Sequence, residues 1–287
     1  MKYHFLRYPG GKGKAVTFSY DDGCRHDIRL AETLTRYGIK CTFNLNSGLA
    51  GNSDTDWHLT VDEIKTHIAS TEHEIAVHGK YHRAPGLCRS IDVIRDMLDC
   101  RLELEQTYDR IIRGMAYPDS GITNFQNGSA YDSIRRNLQD IGIVYSRTLG
   151  GDNNRFTLPS DWYAWMPTAH HINPNALTWA KEFVELDAKS QYLANRYPRL
   201  FYLWGHSYEF HNNNNWDLLD ALCQELGGKD DIWYATNMEI WAYAHAYESL
   251  IFSADETKVH NPTLVTLWMD VDGKLFRIAP GETVLLA

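Results

Sequence analysis

Long apolar runs are missing from this sequence. No segment approaches the roughly 20 residues of a membrane-spanning helix. The N-terminal stretch "MKYHFLRYPGGKGKAVTF" also lacks the apolar run of about seven or more residues that a secretory signal needs. Positive charge is in deficit. Lys and Arg number 28 against 37 Asp and Glu, the formal net charge is −9, and no basic cluster exceeds a few residues. Neither a nucleic-acid backbone nor a membrane is therefore expected as a partner. Cysteine is sparse: Cys24, Cys41, Cys88, Cys100 and Cys223 are scattered and form no C-x-x-C. Free thiols in a reducing compartment follow, and a cytoplasmic location is the expectation. Repeats and low complexity are absent apart from "NNNN" at 212–215, so a fibrous or disordered chain is excluded.

What is present is an ordinary globular composition, 44% hydrophobic and 23% charged over 287 residues. Short apolar runs alternate with helical patterns. Strands are expected at 15–20, 40–46, 73–78, 111–117, 142–149 and 199–206, with helices between them. "TVDEIKTHIAS" opens with Thr60 and Glu63 at capping-box spacing, and "LTWAKEFVELDAKSQYLANR" reads as one helix. Such alternation predicts an α/β fold of parallel β/α units, as a barrel or a doubly wound sheet. Residues 255–287 differ. They alternate apolar and polar side chains between Asp-Gly and Pro-Gly turns, which predicts a small antiparallel appendage of two to four strands. The expected division is 1–254 and 255–287.

Polar residues collect at one place in this pattern. Asp21 and Asp22, His78, Tyr117 and His206 each fall at the C-terminal end of an expected strand. In a β/α barrel those ends open on one face, where active sites are built. "SYDDG" places two carboxylates after a buried-looking strand, where one would suffice to cap the next helix. "HGKYH" spaces His78 and His82 so that a backbone turn would bring both rings to one ion, whereas His73 is expected at the surface. Two imidazoles and one carboxylate form a three-ligand set that leaves a position for water, and the second carboxylate would serve as general base.

"SYDDG", "HGKYH", "RGMAYP" and "LWGH", in this order and at these strand ends, resemble the polysaccharide deacetylase family (carbohydrate esterase family 4, the NodB-type deacetylases), over roughly residues 13–250. The resemblance implies a distorted, incomplete (β/α) barrel that removes acetyl groups from sugars. It implies Asp21 as catalytic base, Asp22, His78 and His82 as ligands of a divalent metal, and His206 as general acid. Zinc is the usual metal, with cobalt, nickel or manganese also used. The family's third motif carries an Arg that orients the base. Here Arg113, five residues before Pro118, would be the Arg that orients Asp21, and Tyr117 and Pro118 would line the substrate pocket. Asp161–Trp162 is the counterpart of the family's Asp-Trp pair, and His170 and His171 beside it are expected to be structural or surface residues. Trp57, Trp162, Trp165, Trp204 and Trp216 are the candidates for stacking on sugar rings, whereas Trp179 and Trp241 fit a core stripe.

Three functions fit these motifs. The first is a metal-dependent deacetylase of N- or O-acetylated sugars, acting on imported oligosaccharide or an intracellular precursor. The second is a hydrolase of a non-sugar C–N bond, such as a cyclic amide or ureide. The third is a catalytically silent sugar-binding protein with a structural metal.

Overall fold

Along residues 16–21, Val16, Phe18 and Tyr20 alternate with Thr17, Ser19 and Asp21, so one strand carries an apolar face and a polar face. The computed structural model, which describes residues 2–51, 57–126, 128–150, 156–188, 192–193 and 196–286, buries both. The chain begins with β1 (His4–Arg7), β2 (Lys14–Asp21), α1 (Asp27–Arg36) and β3 (Cys41–Leu45). Next come α2 (Val61–Ile64), extended by a wider turn over Lys65–Ala69, then β4 (Glu74–Val77) and α3 (Ser90–Tyr108). Then β5 (Gly114–Ala116), α4 (Tyr131–Asp140), β6 (Tyr145–Arg147), β7 (Ala169–His170) and α5 (Ala176–Glu185) lead to β8 (Arg199–Gly205). The alternation ends with α6 (Ser207–Asn212), α7 (Trp216–Leu226), β9 (Ile232–Tyr234) and α8 (Asn237–Glu248). Last come β10 (Ile251–Phe252), β11 (Lys258–His260), β12 (Leu267–Val271), β13 (Lys274–Ile278) and β14 (Thr283–Leu285).

The parallel sheet runs β6-β5-β4-β3-β2-β8-β7. The last residues of β2 pair with β3, and its first residues, Lys14 to Val16, pair with β9. A bridge between Arg147 and Trp165 spans the open side between β6 and β7. The result is a curled, incomplete (β/α) barrel, as the resemblance implies. Thr60 and Glu63 form the expected reciprocal cap. The helix expected over 177–196 ends at Glu185, and part of the remainder lies outside the described residues.

Strand parity divides the interior. Phe18, Tyr20, Phe43, Leu45, Val77 and Met115 pack under the helices against Leu34, Met97, Leu104 and Leu138. Each such buried side chain contributes about 1.5–3 kcal/mol. The opposite face lines the barrel with polar groups, and burial obliges them to pair. Asn44 Nδ2 donates to Ser19 Oγ at 2.8 Å, and Thr17 Oγ1 donates to Asn237 Oδ1 at 2.9 Å. At the N-terminal end of the barrel, Glu74 accepts from Tyr145 OH at 2.7 Å and from the Met238 amide at 2.9 Å, which fixes α8 as a floor. His73, expected at the surface, is buried, and its Nδ1 accepts from the Cys41 amide at 3.1 Å.

Residues 255–287 hold β11 to β14, within the expected two to four antiparallel strands. They are joined by β1 and β10 in two small sheets, β1-β12-β13 and β10-β11-β14. Leu6, Tyr8, Met269, Val271 and Ile278 share one core with Tyr202 and Tyr243. Among the described residues no helix is long and apolar enough to cross a membrane.

Candidate active site

The two adjacent carboxylates point in different directions because the backbone changes hand between them. Asp21 ends β2 on the polar face, and Asp22 follows with φ +79°, which turns its side chain across the barrel mouth. Asp21 is 1% exposed. One of its oxygens accepts from Asn44 Nδ2 at 2.8 Å and the other from Arg147 Nη2. Arg147 is fully buried, and its guanidinium lies 4.2 Å from the centre of the Trp204 ring. Burial alone would raise the Asp21 carboxyl, but Arg147, then His78 and His206, hold it below its ordinary value.

Asp22 faces the imidazoles. Its Oδ1 lies 3.4 Å from His78 Nε2 and 3.3 Å from His82 Nε2. His78 follows the end of β4, and its Nδ1 lies 2.9 Å from the Ala116 carbonyl, to which it donates. That bond leaves the Nε2 lone pair facing Asp22. This nitrogen is buried and makes no hydrogen bond. A tight loop returns His82: Asn46 Nδ2 donates to the carbonyls of His78 and Gly79, and Asp96 accepts from the amides of Lys80 and Tyr81. His82 then sits in a left-handed conformation, φ +55°. Burial, with His78 beside it, lowers His82 and keeps it a neutral donor. Burial would raise Asp22 as well, but the three nearby histidines, His78 foremost, hold it at about 2. A divalent cation fits this set. The orphaned Nε2 of His78 gains a partner, and donor separations of 3.3–3.4 Å match the edges of a tetrahedron with bonds of about 2.0–2.2 Å.

His206 closes the ring of groups. Its Nε2 lies 4.0 Å from Asp21 Oδ2 and 3.9 Å from Asp22 Oδ2. Burial pulls His206 down, but Glu209 and the two aspartates outweigh it and raise it above its ordinary value. Tyr208 lies beside the ring at 5.2 Å, and Trp57 stands 5.5 Å from Tyr208. The half-buried pair forms an aromatic rim.

Five residues expected at the site have other surroundings. Arg113 precedes β5 and so sits at the opposite end of the barrel, donating to the Gly142 carbonyl at 3.2 Å and lying over Trp241. Arg147 holds the place beside Asp21 expected of Arg113. Trp162 packs edge-on against Trp165, 4.8 Å away, and near His245 of α8. Tyr117 has the parity of Met115, so its ring enters the helix-side core and its hydroxyl donates to the Tyr163 carbonyl at 2.8 Å. Asp161 lies against α4, accepting from Tyr131 OH at 2.5 Å. Pro118 is buried in the turn after β5. Trp204 is at the site, as the face under Arg147, but is 6% exposed and offers little area to a sugar. His171 is buried beside His206 and His170 half-buried, neither of them at the surface.

Arg147, Asn44, Glu209 and Tyr208 were not anticipated. Arg147 carried a signal: it ends the strand in "GIVYSRTL" as Asp21 ends "AVTFSYD". Asn44 and Glu209 had none, because only the register Asp21↔Asn44 and the turn after β8 bring them in.

The polysaccharide deacetylase family model matches residues 5–143, a stretch that carries Asp21, Asp22, His78 and His82. Among solved structures, a Mycobacterium smegmatis protein described as a polysaccharide deacetylase is 14% identical with a TM-score of 0.59. That match covers 86% of this chain and 96% of the other. The Xyl-CE4 domain of a multidomain xylanase from the hindgut metagenome of Trinervitermes trinervoides is 14% identical at TM-score 0.52, covering 81% and 92%. A mutant of a Bacillus anthracis CE4-family pseudoenzyme with restored enzymatic activity is 14% identical at TM-score 0.51, covering 83% and 70%. These likenesses establish the fold. No curated protein matches the chain.

Proposed function

We propose that the protein is a metal-dependent hydrolase that removes acetyl groups from N- or O-acetylated sugars. The carrying observation is the split between adjacent carboxylates: Asp21 is paired with Arg147 and Asn44, and Asp22 with two histidines. Asp22, His78 and His82 would hold the divalent cation, with zinc first and cobalt, nickel or manganese as alternatives. Bound there, the cation would lower the pKa of a water and polarise the acetyl carbonyl. Asp21 is held ionised and fixed in direction by Arg147, so it takes the proton of that water. His206 presents Nε2 from the other side and gives a proton to the departing nitrogen or oxygen. Tyr208 and Trp57 offer flat faces to a sugar ring beside the acid. A silent sugar binder would have no use for a buried, cation-paired carboxylate next to the ligand set.

The test is acetate release by zinc-loaded protein from acetylated chito- and xylo-oligosaccharides, run beside a panel of cyclic amides. Release from the sugars is the expected result. Turnover confined to the cyclic amides, or sugar affinity with no turnover of any substrate, would overturn the reading.

A further inference from the structure

His206 has two ring nitrogens, and only Nε2 is used above. Its Nδ1 lies 3.5 Å from Glu209 Oε1. Glu209 stands in the first turn of α6, three residues on, and its other oxygen faces three nitrogens. The His206 amide donates to Oε2 at 3.3 Å, while His170 Nε2 lies 3.3 Å and His171 Nε2 3.2 Å from it. His171 is fixed between Tyr20 and Phe210, with ring centres 5.6 and 4.0 Å away. A Cβ on Gly205 would come within 2.0 Å of its Nδ1, so glycine is required there for close approach.

Two histidines and a carboxylate could also hold a second cation, but the His170 tautomer argues otherwise. Its Nδ1 accepts from the Ile172 amide at 3.2 Å, so in the neutral ring the proton sits on Nε2, aimed at Glu209. This is the reverse of His78, where Nδ1 donates and Nε2 keeps its lone pair. His170 therefore turns an N–H, not a lone pair, towards the Glu209 carboxylate.

We propose that Glu209, tied to the His206 amide and flanked by His170 and His171, is the positioning residue of the general acid: its Oε1 accepts the Nδ1 proton of His206 and aims Nε2 at the leaving group. The proposal rests on the deacetylase reading. When the bond from the acetyl carbon to the sugar nitrogen breaks, its electron pair goes to the nitrogen, which takes the Nε2 proton. His206 is left neutral with its remaining proton on Nδ1, the tautomer Glu209 favours. Asp21 has by then taken a proton from the attacking water, so one water is consumed and acetate and amine leave. The 3.5 Å separation is longer than a formed hydrogen bond, and catalytic pairs commonly tighten only when substrate is bound.

The experiment compares wild type with Glu209→Gln and Glu209→Asp, all zinc-loaded, on an N-acetylated chito-oligosaccharide and on p-nitrophenyl acetate, whose leaving group needs no proton. Imidazole ¹⁵N shifts and metal content are measured on the same samples. The Gln variant should lose about ten- to a hundredfold in kcat on the amide with KM little changed. Its loss on the aryl ester should be at least several-fold smaller, its His206 ring proton should no longer reside on Nδ1 alone, and Asp should restore part of both. Equal losses on the two substrates with an unchanged ¹⁵N signature would make Glu209 merely structural and overturn the proposal. So would two zinc ions per wild-type chain falling to one in Glu209→Gln. A wild type that releases acetate from no sugar would sink the deacetylase reading alone, and the ¹⁵N spectra would still decide the tautomer.

Discussion

Arg147 and Asp21 are buried charges that tolerate each other's burial only as a pair. Removing one partner of such a pair costs about 3–5 kcal/mol, because the other charge is left uncompensated. Arg147→Met should therefore lower thermal stability. It should also move the acid limb of kcat/KM. A neighbouring positive charge favours the ionised carboxylate, so losing it raises the Asp21 pKa, and the limb shifts to higher pH. Arg113→Met, at the other end of the barrel, should leave the pH profile in place; a shift in that variant instead would show that Arg113 acts on the base. The residue scale is also where the sequence was least legible. Two aspartates, His78 and His206 were readable because they end strands, and His82 by its spacing from His78, but their partners come from elsewhere. Asn44 enters through parallel register, and Arg147 reaches Asp21 across the barrel mouth. Tyr117 misled because a strand end says nothing of parity: its neighbour Ala116 faces the barrel, and Tyr117 faces the helices.

Among the elements, α1 and α6 are tied together behind the site by a small buried cluster. Asp27 Oδ1 accepts from Ser207 Oγ at 2.5 Å, and Cys24 Sγ lies 3.0 Å from the same hydroxyl. Burial pushes the Asp27 carboxyl well above its ordinary value, and its second oxygen has no hydrogen-bond partner. Above the unfolded pKa the folded state thus holds a proton that the unfolded state has released, and stability falls as pH rises from about 4 towards the folded pKa. Asp27→Asn should abolish that decline, seen as a flatter dependence of Tm on pH. An unaltered slope would place the titration elsewhere. The long β2–α1–β3 rhythm was legible because apolar periodicity changes from 2 to 3.6 between elements. Helix α6 was not, because six residues carry too little pattern to be read.

At the scale of the whole molecule, the first and last segments of the chain complete one layer. β1 pairs with β12, from His4↔Val271 to Arg7↔Trp268, and Arg7 Nη2 meets Asp270 Oδ2 at 3.2 Å in a buried pair. Met269, Val271 and Ile278 share a core with Tyr8 and Tyr202. At about 1.5–3 kcal/mol for each buried side chain, their loss would consume much of a typical stability of about 5–15 kcal/mol. A chain ending at residue 254 should lack a cooperative thermal transition; a sharp transition near the full-length Tm would show that residues 1–254 fold alone. The pairing of termini was hidden because "HFLR" is four residues long and its partner residues lie far away in sequence, His4 opposite Val271 and Arg7 opposite Trp268.

Metal binding, on the proposed reading, would act at this scale too. Zinc held by the folded chain and not by the unfolded one raises Tm with concentration, and His78→Ala should abolish the rise. The central claim is that Asp22 serves the metal and Asp21 the proton. Its most direct test is the rate of acetate release by zinc-loaded Asp21→Asn, with bound zinc counted in the same sample. Zinc should stay at the wild-type level while release falls by about 10²–10⁴-fold. Undiminished release, or loss of the zinc along with the activity, would contradict the account.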